Sequence, residues 1–357
     1  MLNLRMAKSA ALALIVSLSL TACDPPIPAS ILVAQAELEV QCEDGEVSAI
    51  VPESMTDLGV NWSDSLLYSC ETMPITLLDN TATEADLVIS ESSLIAGRCT
   101  PFNTVPVAID AAVLVVNIPD FFEIFLSPQQ IIDIFNGTIT NWSDPSLASL
   151  NGDFPLPNLP IILPTEATVS AKAALTDWIS RLAGAPLDLS AVADTTEFNE
   201  ISLAAPAEAG AITIASYSAA SYLGSSTVAI VPDPSDPLTY LRAEYTSLLS
   251  ATTQLTSTIE GTTMKVALDP NIEPQAEAGL DDVVAPYQAV YAMDMALCGE
   301  DTTLKRTMAR YLLRQDSQGV ILSSTLMPLP EALRVEAIKI VIVGLPIPTP
   351  SATEETE

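Results

Sequence analysis

The sequence predicts an α/β protein, and three observations lead there. Strand-like and helix-like periods alternate along the chain, the pattern of strand–helix–strand units with largely parallel pairing. Hydrophobic residues make up 49% of the chain and charged residues only 16%, so the chain can bury packed cores and is not a disordered polymer. Its 357 residues are more than one hydrophobic core usually fills, so two lobes are expected.

The chain opens with Arg5 and Lys8 ahead of an apolar run, Ala10 to Leu20, too short to cross a bilayer as a mature helix. Leu20-Thr21-Ala22-Cys23 closes it, and this string resembles a bacterial lipobox, in which the cysteine is acylated and becomes the first mature residue. Residues 1–22 are therefore expected to be a lipoprotein signal peptide. Cys23 would be the lipid anchor, placing the protein in the cell envelope, outside the cytoplasm and held to a membrane it does not cross. Residues 23–36, with the Pro-rich stretch Asp24 to Pro28, read as a linker that lifts the folded body off the surface.

Apolar strand-like runs follow at Val47 to Val51, Pro74 to Leu78, Leu87 to Ile89, Val105 to Asn117 and Ala211 to Ala215. Ser127-Pro128-Gln129-Gln130 is a helix start: a serine N-cap, proline at the first helical position and glutamine at the capping-box position. Ile131, Ile132, Ile134 and Phe135 form its buried face, and Gly137 stops it. Ala167 to Leu182 reads as a second helix with Leu175, Trp178, Ile179 and Leu182 inward. Leu304 to Leu313 reads as a third, with Lys305, Arg306 and Arg310 on or beside its wet face. The Pro/Thr/Glu-rich end, 346–357, is expected to be a disordered tail.

Charge and composition exclude several function classes. There are 45 acidic residues against 13 basic ones, or against 11 once Arg5 and Lys8 are removed with the signal. A surface this acidic repels nucleic acid and anionic lipid heads, so neither is an expected partner. The chain has no histidine, which removes Ser-His-Asp and Cys-His catalysis, His-ligated zinc and a histidine pH switch. Beyond Cys23 stand Cys42, Cys70, Cys99 and Cys298, an even number in an oxidising compartment. Two disulfides are the expectation, with three connectivities possible. No C-x-x-C pair points to a metal, and no cofactor is expected.

The segment Val105 to Ser180 resembles the substrate-binding protein of bacterial phosphate ABC importers, the PstS type. The resemblance rests on the strand Val105 to Asn117 with Ile118-Pro119. It continues through Leu126-Ser127-Pro128-Gln129-Gln130-Ile131-Ile132-Asp133-Ile134-Phe135 and Asn136-Gly137-Thr138-Ile139-Thr140-Asn141-Trp142-Ser143-Asp144-Pro145. The second half of that string is similar to the family's G-x-I-x-x-W-x-D-P segment. Gly210-Ala211-Ile212 and Met327-Pro328-Leu329-Pro330 resemble a later strand and the C-terminal Pro-Leu-Pro turn.

This resemblance implies a two-lobed periplasmic-binding-protein type II fold: two mixed sheets flanked by helices, joined by a two-crossing hinge, with the ligand in the cleft. Lobe I would comprise 37–108 and 286–345, lobe II 109–285. The chain would cross first near Ala108 to Ala112 and again near Met264 to Pro286. That topology also implies the pairs Cys42–Cys70 and Cys99–Cys298. An ABC permease is the implied partner, a monomer the implied state, and no enzymatic activity is implied.

The same resemblance locates the ligand site. The family holds phosphate with helix N-termini, hydroxyls, an Asp and the Arg of an R-x-D-G-S-G-T loop, because N–H groups and a guanidinium complete the anion's hydrogen bonds. Here that loop reads Thr165-Glu166-Ala167-Thr168-Val169-Ser170-Ala171, with Thr165 in place of the Arg and Ala167 in place of the Asp. The family's Ser-Asp after its third strand becomes Ser90-Glu91, followed by Ser92, and only Asp79 to Ala85 stands where a Gly-Ser loop and helix are expected. Ser54 keeps a hydroxyl after the first strand.

The candidate ligand-binding residues are thus Ser54, Ser90, Glu91, Ser92, Thr165, Glu166, Thr168 and Ser170. Thr165 or Thr168 would also cap the following helix. Arg98, beside Cys99, reads as a surface residue, and Glu91 and Glu166 could face each other across the cleft. Losing one charge-assisted contact forfeits about 1.5–3 kcal/mol, so the expectation is a solute-binding lipoprotein with an altered anion site. The alternatives are a working phosphate receptor and a ligand-free envelope scaffold or sensor partner, whose signature would be Val169 plugging the former site.

Overall fold

In the computed structural model, residues 42–152, 155–276 and 282–343 are described. Cys23, the signal segment, the linker and the tail from 346 lie outside them. In chain order the strands are β1 (Val47–Ile50), β2 (Ile75–Leu77), β3 (Leu87–Ser90), β4 (Pro101–Val116), β5 (Ile124–Leu126), β6 (Glu166–Ala167), β7 (Ala193–Asp194), β8 (Ile212–Ser216), β9 (Val228–Ile230), β10 (Leu255–Glu260), β11 (Thr263–Leu268) and β12 (Val290–Cys298). The helices are α1 (Thr56–Ser69), α2 (Ser92–Ile95), α3 (Pro128–Phe135), α4 (Pro145–Ala148), α5 (Val169–Ala183), α6 (Glu200–Ala204), α7 (Tyr217–Leu223), α8 (Tyr245–Thr252), α9 (Thr303–Leu312), α10 (Gln315–Gly319) and α11 (Glu331–Val341). Short 3-10 turns occupy Glu53–Met55 and Ile321–Ser324.

A mixed sheet runs β10-β11-β4-β12-β3-β1-β2, with β8 attached to β4. The strands β2, β1 and β3 are parallel, whereas β12 is antiparallel to both β3 and β4. The largely parallel pairing expected from the strand–helix alternation thus holds only in part.

The 16 residues of β4 are almost all apolar and buried, so the strand needs cover along its whole length. Its first part pairs with β12, and Ala112 to Val116 pair with β8. Pro106 has no N–H to give a ladder. A register shift between Met293 and Asp294 falls where Pro106 faces β12, which is where a bulge is tolerated.

The three tryptophans sit at the centres of the packing. Trp62 donates from Nε1 to the Ser317 carbonyl at 3.0 Å, and Trp142 to the Gly210 carbonyl at 2.8 Å. Trp178 packs on Tyr287 with ring centroids 4.3 Å apart, and the Tyr287 hydroxyl donates to the Ala112 carbonyl at 2.9 Å. The donors of Trp62, Trp142 and Tyr287 are therefore satisfied as burial demands. Helix α3 forms with its capping box intact: Gln130 N–H donates to Ser127 Oγ at 3.2 Å, and Ser127 N–H donates back to Gln130 Oε1 at 2.9 Å. Both disulfides are present, Cys42–Cys70 and Cys99–Cys298.

Three details differ from the sequence-based expectations. Helix α5 begins at Val169, because Thr168 is its N-cap and Glu166–Ala167 pair with Ala193–Asp194 as a parallel bridge of strands. Arg306 is buried, at 7% exposure. Asp301 grips its guanidinium at 2.6 and 2.7 Å and the Val341 carbonyl accepts at 3.0 Å, which compensates the buried charge. The hairpin β10–β11 lies beside β4, with Thr263 opposite Thr104. The chain has therefore reached the first sheet before the expected second crossing at 264–286. All these elements belong to one compact unit, Val40–Pro346.

Candidate functional site

Strand ends and helix starts converge on one small cavity, as α/β connectivity dictates. Its walls come from the residues after β1, the end of β3, the middle of β4, the N-cap of α5, the first residue of α6, the β8–α7 turn and β12. The cavity measures about 30 Å³, room for one or two waters.

Four of the eight sequence-predicted residues line it: Ser54, Ser90, Glu91 and Thr168. Thr168 caps α5 by accepting from Ala171 N–H at 3.4 Å. The other four lie elsewhere. Ser92 is exposed and donates to the Asp294 carboxylate. Thr165 is exposed, and its carbonyl accepts from Ala193 N–H at 2.9 Å. Glu166 accepts from Asn199 Nδ2 at 2.9 Å, so it does not face Glu91. Ser170 takes part only through its backbone, whose N–H donates to Glu91 Oε2 at 3.1 Å.

Sequence reasoning missed Asp110, Glu200, Ser216, Ser218 and Tyr291, all of which line the cavity. Asp110 carried a legible signal, a single acid inside the apolar run of β4. Its Oδ1 accepts from Ala111 N–H at 2.7 Å and Ser218 N–H at 3.1 Å, and its Oδ2 from Ser218 Oγ at 2.6 Å. Burial raises its pKa to about 6, and these hydrogen bonds oppose the rise. Ser216 and Ser218 follow a buried strand, as Ser90 does, so the same rule finds them. Nothing local marks Glu200. Its Oε1 accepts from Glu53 N–H at 2.6 Å, and burial raises its pKa while the backbone donors hold it down. Tyr291 is pushed well above the usual phenol range, first by burial and then by the charges of Asp110, Glu91 and Glu200.

The chemistry of the cavity is therefore acidic and hydroxylic. Three carboxylates face it and no Lys or Arg does. Backbone N–H groups at the starts of the Glu53–Met55 turn, α5 and α7 donate to those carboxylates. Arg98 does not replace the missing cation, and it is not a free surface residue either. Its guanidinium donates to the Asn80 and Ala82 carbonyls at 2.8 Å and lies 4.9 Å above the Phe198 ring. Val169 is 37% exposed and plugs nothing. Among the described residues, no group of three or more Cys, Asp or Glu side chains is gathered as a metal site, and no helix is long and apolar enough to cross a membrane.

No curated protein sequence matches the chain. Solved structures do. A high-affinity periplasmic phosphate-binding protein, PfluDING, matches at 12% identity and TM-score 0.50, covering 82% of this chain and 92% of that one. The phosphate-binding protein of Stenotrophomonas maltophilia matches at 14% identity and TM-score 0.49, covering 83% and 93%. An ABC-type phosphate transport receptor from Vibrio cholerae matches at 12% identity and TM-score 0.38, covering 80% and 100%. The likeness to PfluDING shows a shared fold. A family model described as the PBP superfamily domain matches residues 75–297, and the chain belongs to that superfamily.

Proposed function

We propose that this protein is an extracytoplasmic solute-binding lipoprotein, anchored through Cys23 and serving an ABC importer as a monomer, and that its anion site is altered. Residues 37–108 with 286–345 and residues 109–285 act as its two lobes, with the β10–β11 hairpin of the second resting on the sheet of the first. A solved structure of similar fold is a high-affinity periplasmic phosphate-binding protein by name, which supports a solute-binding role outside the cytoplasm. One observation carries the altered site: the Ser170 N–H, an anion donor at the start of α5, is already taken by Glu91.

The magnitudes agree with that reading. Two like unit charges 4 Å apart cost about 4 kcal/mol at the effective dielectric of a protein site. Each hydrogen bond to a charged group returns about 1.5–3 kcal/mol. A phosphate dianion set against Glu91, Asp110 and Glu200 therefore meets more repulsion than the remaining donors offset. The small cavity also favours a second reading, a ligand-free envelope scaffold.

Calorimetry with phosphate, sulfate and a panel of neutral and cationic metabolites at about pH 7.5 tests both. The expected result is no phosphate binding below millimolar concentration and binding of a non-anionic solute. A flat response throughout selects the scaffold. Submillimolar phosphate binding overturns the altered site. Intact mass of the membrane-extracted protein, compared with Cys23→Ser, checks the anchor.

A further inference from the structure

We infer that Glu91 and Glu200 form a reciprocal clasp that holds the cleft closed with no solute present, and so act as specificity-determining residues against anions. The inference deepens the altered-site reading and rests on it for the two halves of the cleft. Glu91 follows β3 in the first half and accepts from Ser170 N–H on α5 in the second, at 3.1 Å. Glu200 opens α6 in the second half and accepts from Glu53 N–H after β1 in the first, at 2.6 Å. Each half thus supplies one carboxylate and one backbone donor to the other. Both carboxylates are nearly sealed, at 3% and 8% exposure, where a charge-assisted hydrogen bond is worth most.

A second, independent contact sits two residues from Glu200. Phe198 is 9% exposed and belongs to a cluster otherwise made of first-half residues: Ile50, Val88, Leu94, Ile95, Ala296 and Cys298. Arg98 covers the ring from above, its own guanidinium fixed by the two carbonyls of the Asn80–Ala82 loop. Residues 198–200 therefore form a strap that crosses the cleft, with an aromatic anchor at one end and a carboxylate hook at the other. A ligand-gated receptor needs its bound solute to bridge the halves; here the chain supplies that bridge itself.

The test is amide hydrogen exchange on the full mature protein without added solute, read at Glu53, Ser170 and residues 195–204. The wild type is expected to protect all three. Glu91→Ala should lose protection at Ser170, and Glu200→Ala with Phe198→Ala should lose it at Glu53 and along the strap, each by about tenfold or more. Glu91→Gln and Glu200→Gln, whose amide oxygens still accept, should keep most of it. Should Phe198→Ala fail to fold, Arg98→Met, which uncovers the ring without emptying its seat, reads the same strap.

Fast exchange at these amides in the wild type, or equal protection in the alanine variants, overturns the clasp. The parallel phosphate titration separates the two claims. Phosphate binding with full protection of the solute-free protein defeats the altered site and the role of Glu91 and Glu200 against anions, and leaves only the contacts that hold the cleft closed. Absent binding with no protection does the reverse.

Discussion

Asp110→Asn isolates the energetic cost of an acid inside β4. Asp110 is 2% exposed, and burial lifts its carboxyl from 3.8 to about 6. Because the folded value lies above the unfolded one, the folded chain holds more protons between those two pH values. Stability from this group is full below pH 3.8 and falls as the pH rises through about 6.

A shift of that size corresponds to about 3 kcal/mol. Asparagine keeps an acceptor for Ser218 but has no proton to lose, so its penalty, an amide without a second partner, is the same at every pH. Urea denaturation of both proteins from about pH 4 to about pH 7.5 should therefore give a stability difference that changes by about 2–3 kcal/mol across the window in favour of the variant. The many surface carboxylates cancel in the subtraction. A difference that stays constant with pH refutes the argument, because it means Asp110 ionises as freely in the folded chain as in the unfolded one.

Three further outcomes follow from the packing. Arg334 is 2% exposed and pairs bidentately with Glu331 at 2.7 and 2.8 Å while donating to the Leu313 carbonyl at 2.9 Å, so Arg334→Ala, which takes that donor from the carbonyl but leaves the largely exposed Glu331 solvated, should cost about 1–3 kcal/mol in chemical denaturation. Opening the Cys99–Cys298 bridge, which spans 199 residues, by Cys99→Ala with Cys298→Ala should cost up to about 5 kcal/mol in the loop-closure limit and lower the thermal midpoint accordingly. A Cβ at Gly210, where φ is 90°, would lie 2.4 Å from the Pro160 carbonyl oxygen that sits beside it, so Gly210→Ala should cost about 3 kcal/mol and weaken the adjoining Trp142 hydrogen bond, seen as a shift in tryptophan emission.

The elements that sequence reasoning located share a physical cause. The α3 start is set by contacts three residues apart, Ser127 with Gln130, and the long apolar run of β4 has few other places to go than a sheet covered on both faces. Such local and compositional rules are legible in one dimension. Arg306 was misplaced by the same rules, since its helical position says wet face while Asp301 and the α11 carbonyls provide a buried seat.

What the amino-acid order determined by itself was therefore the α/β class, the main strands, the capped helices, the absence of histidine chemistry and four of the residues that line the cavity. Only the tertiary structure decided which carboxylate meets which helix start. Glu91 finds Ser170 across 79 residues, Asp110 finds Ser218 across 108, and Glu53 finds Glu200 across 147. A helix start demands an acceptor wherever it is buried, and sequence shows that demand; which of 45 acids supplies it depends on how the chain packs around β4.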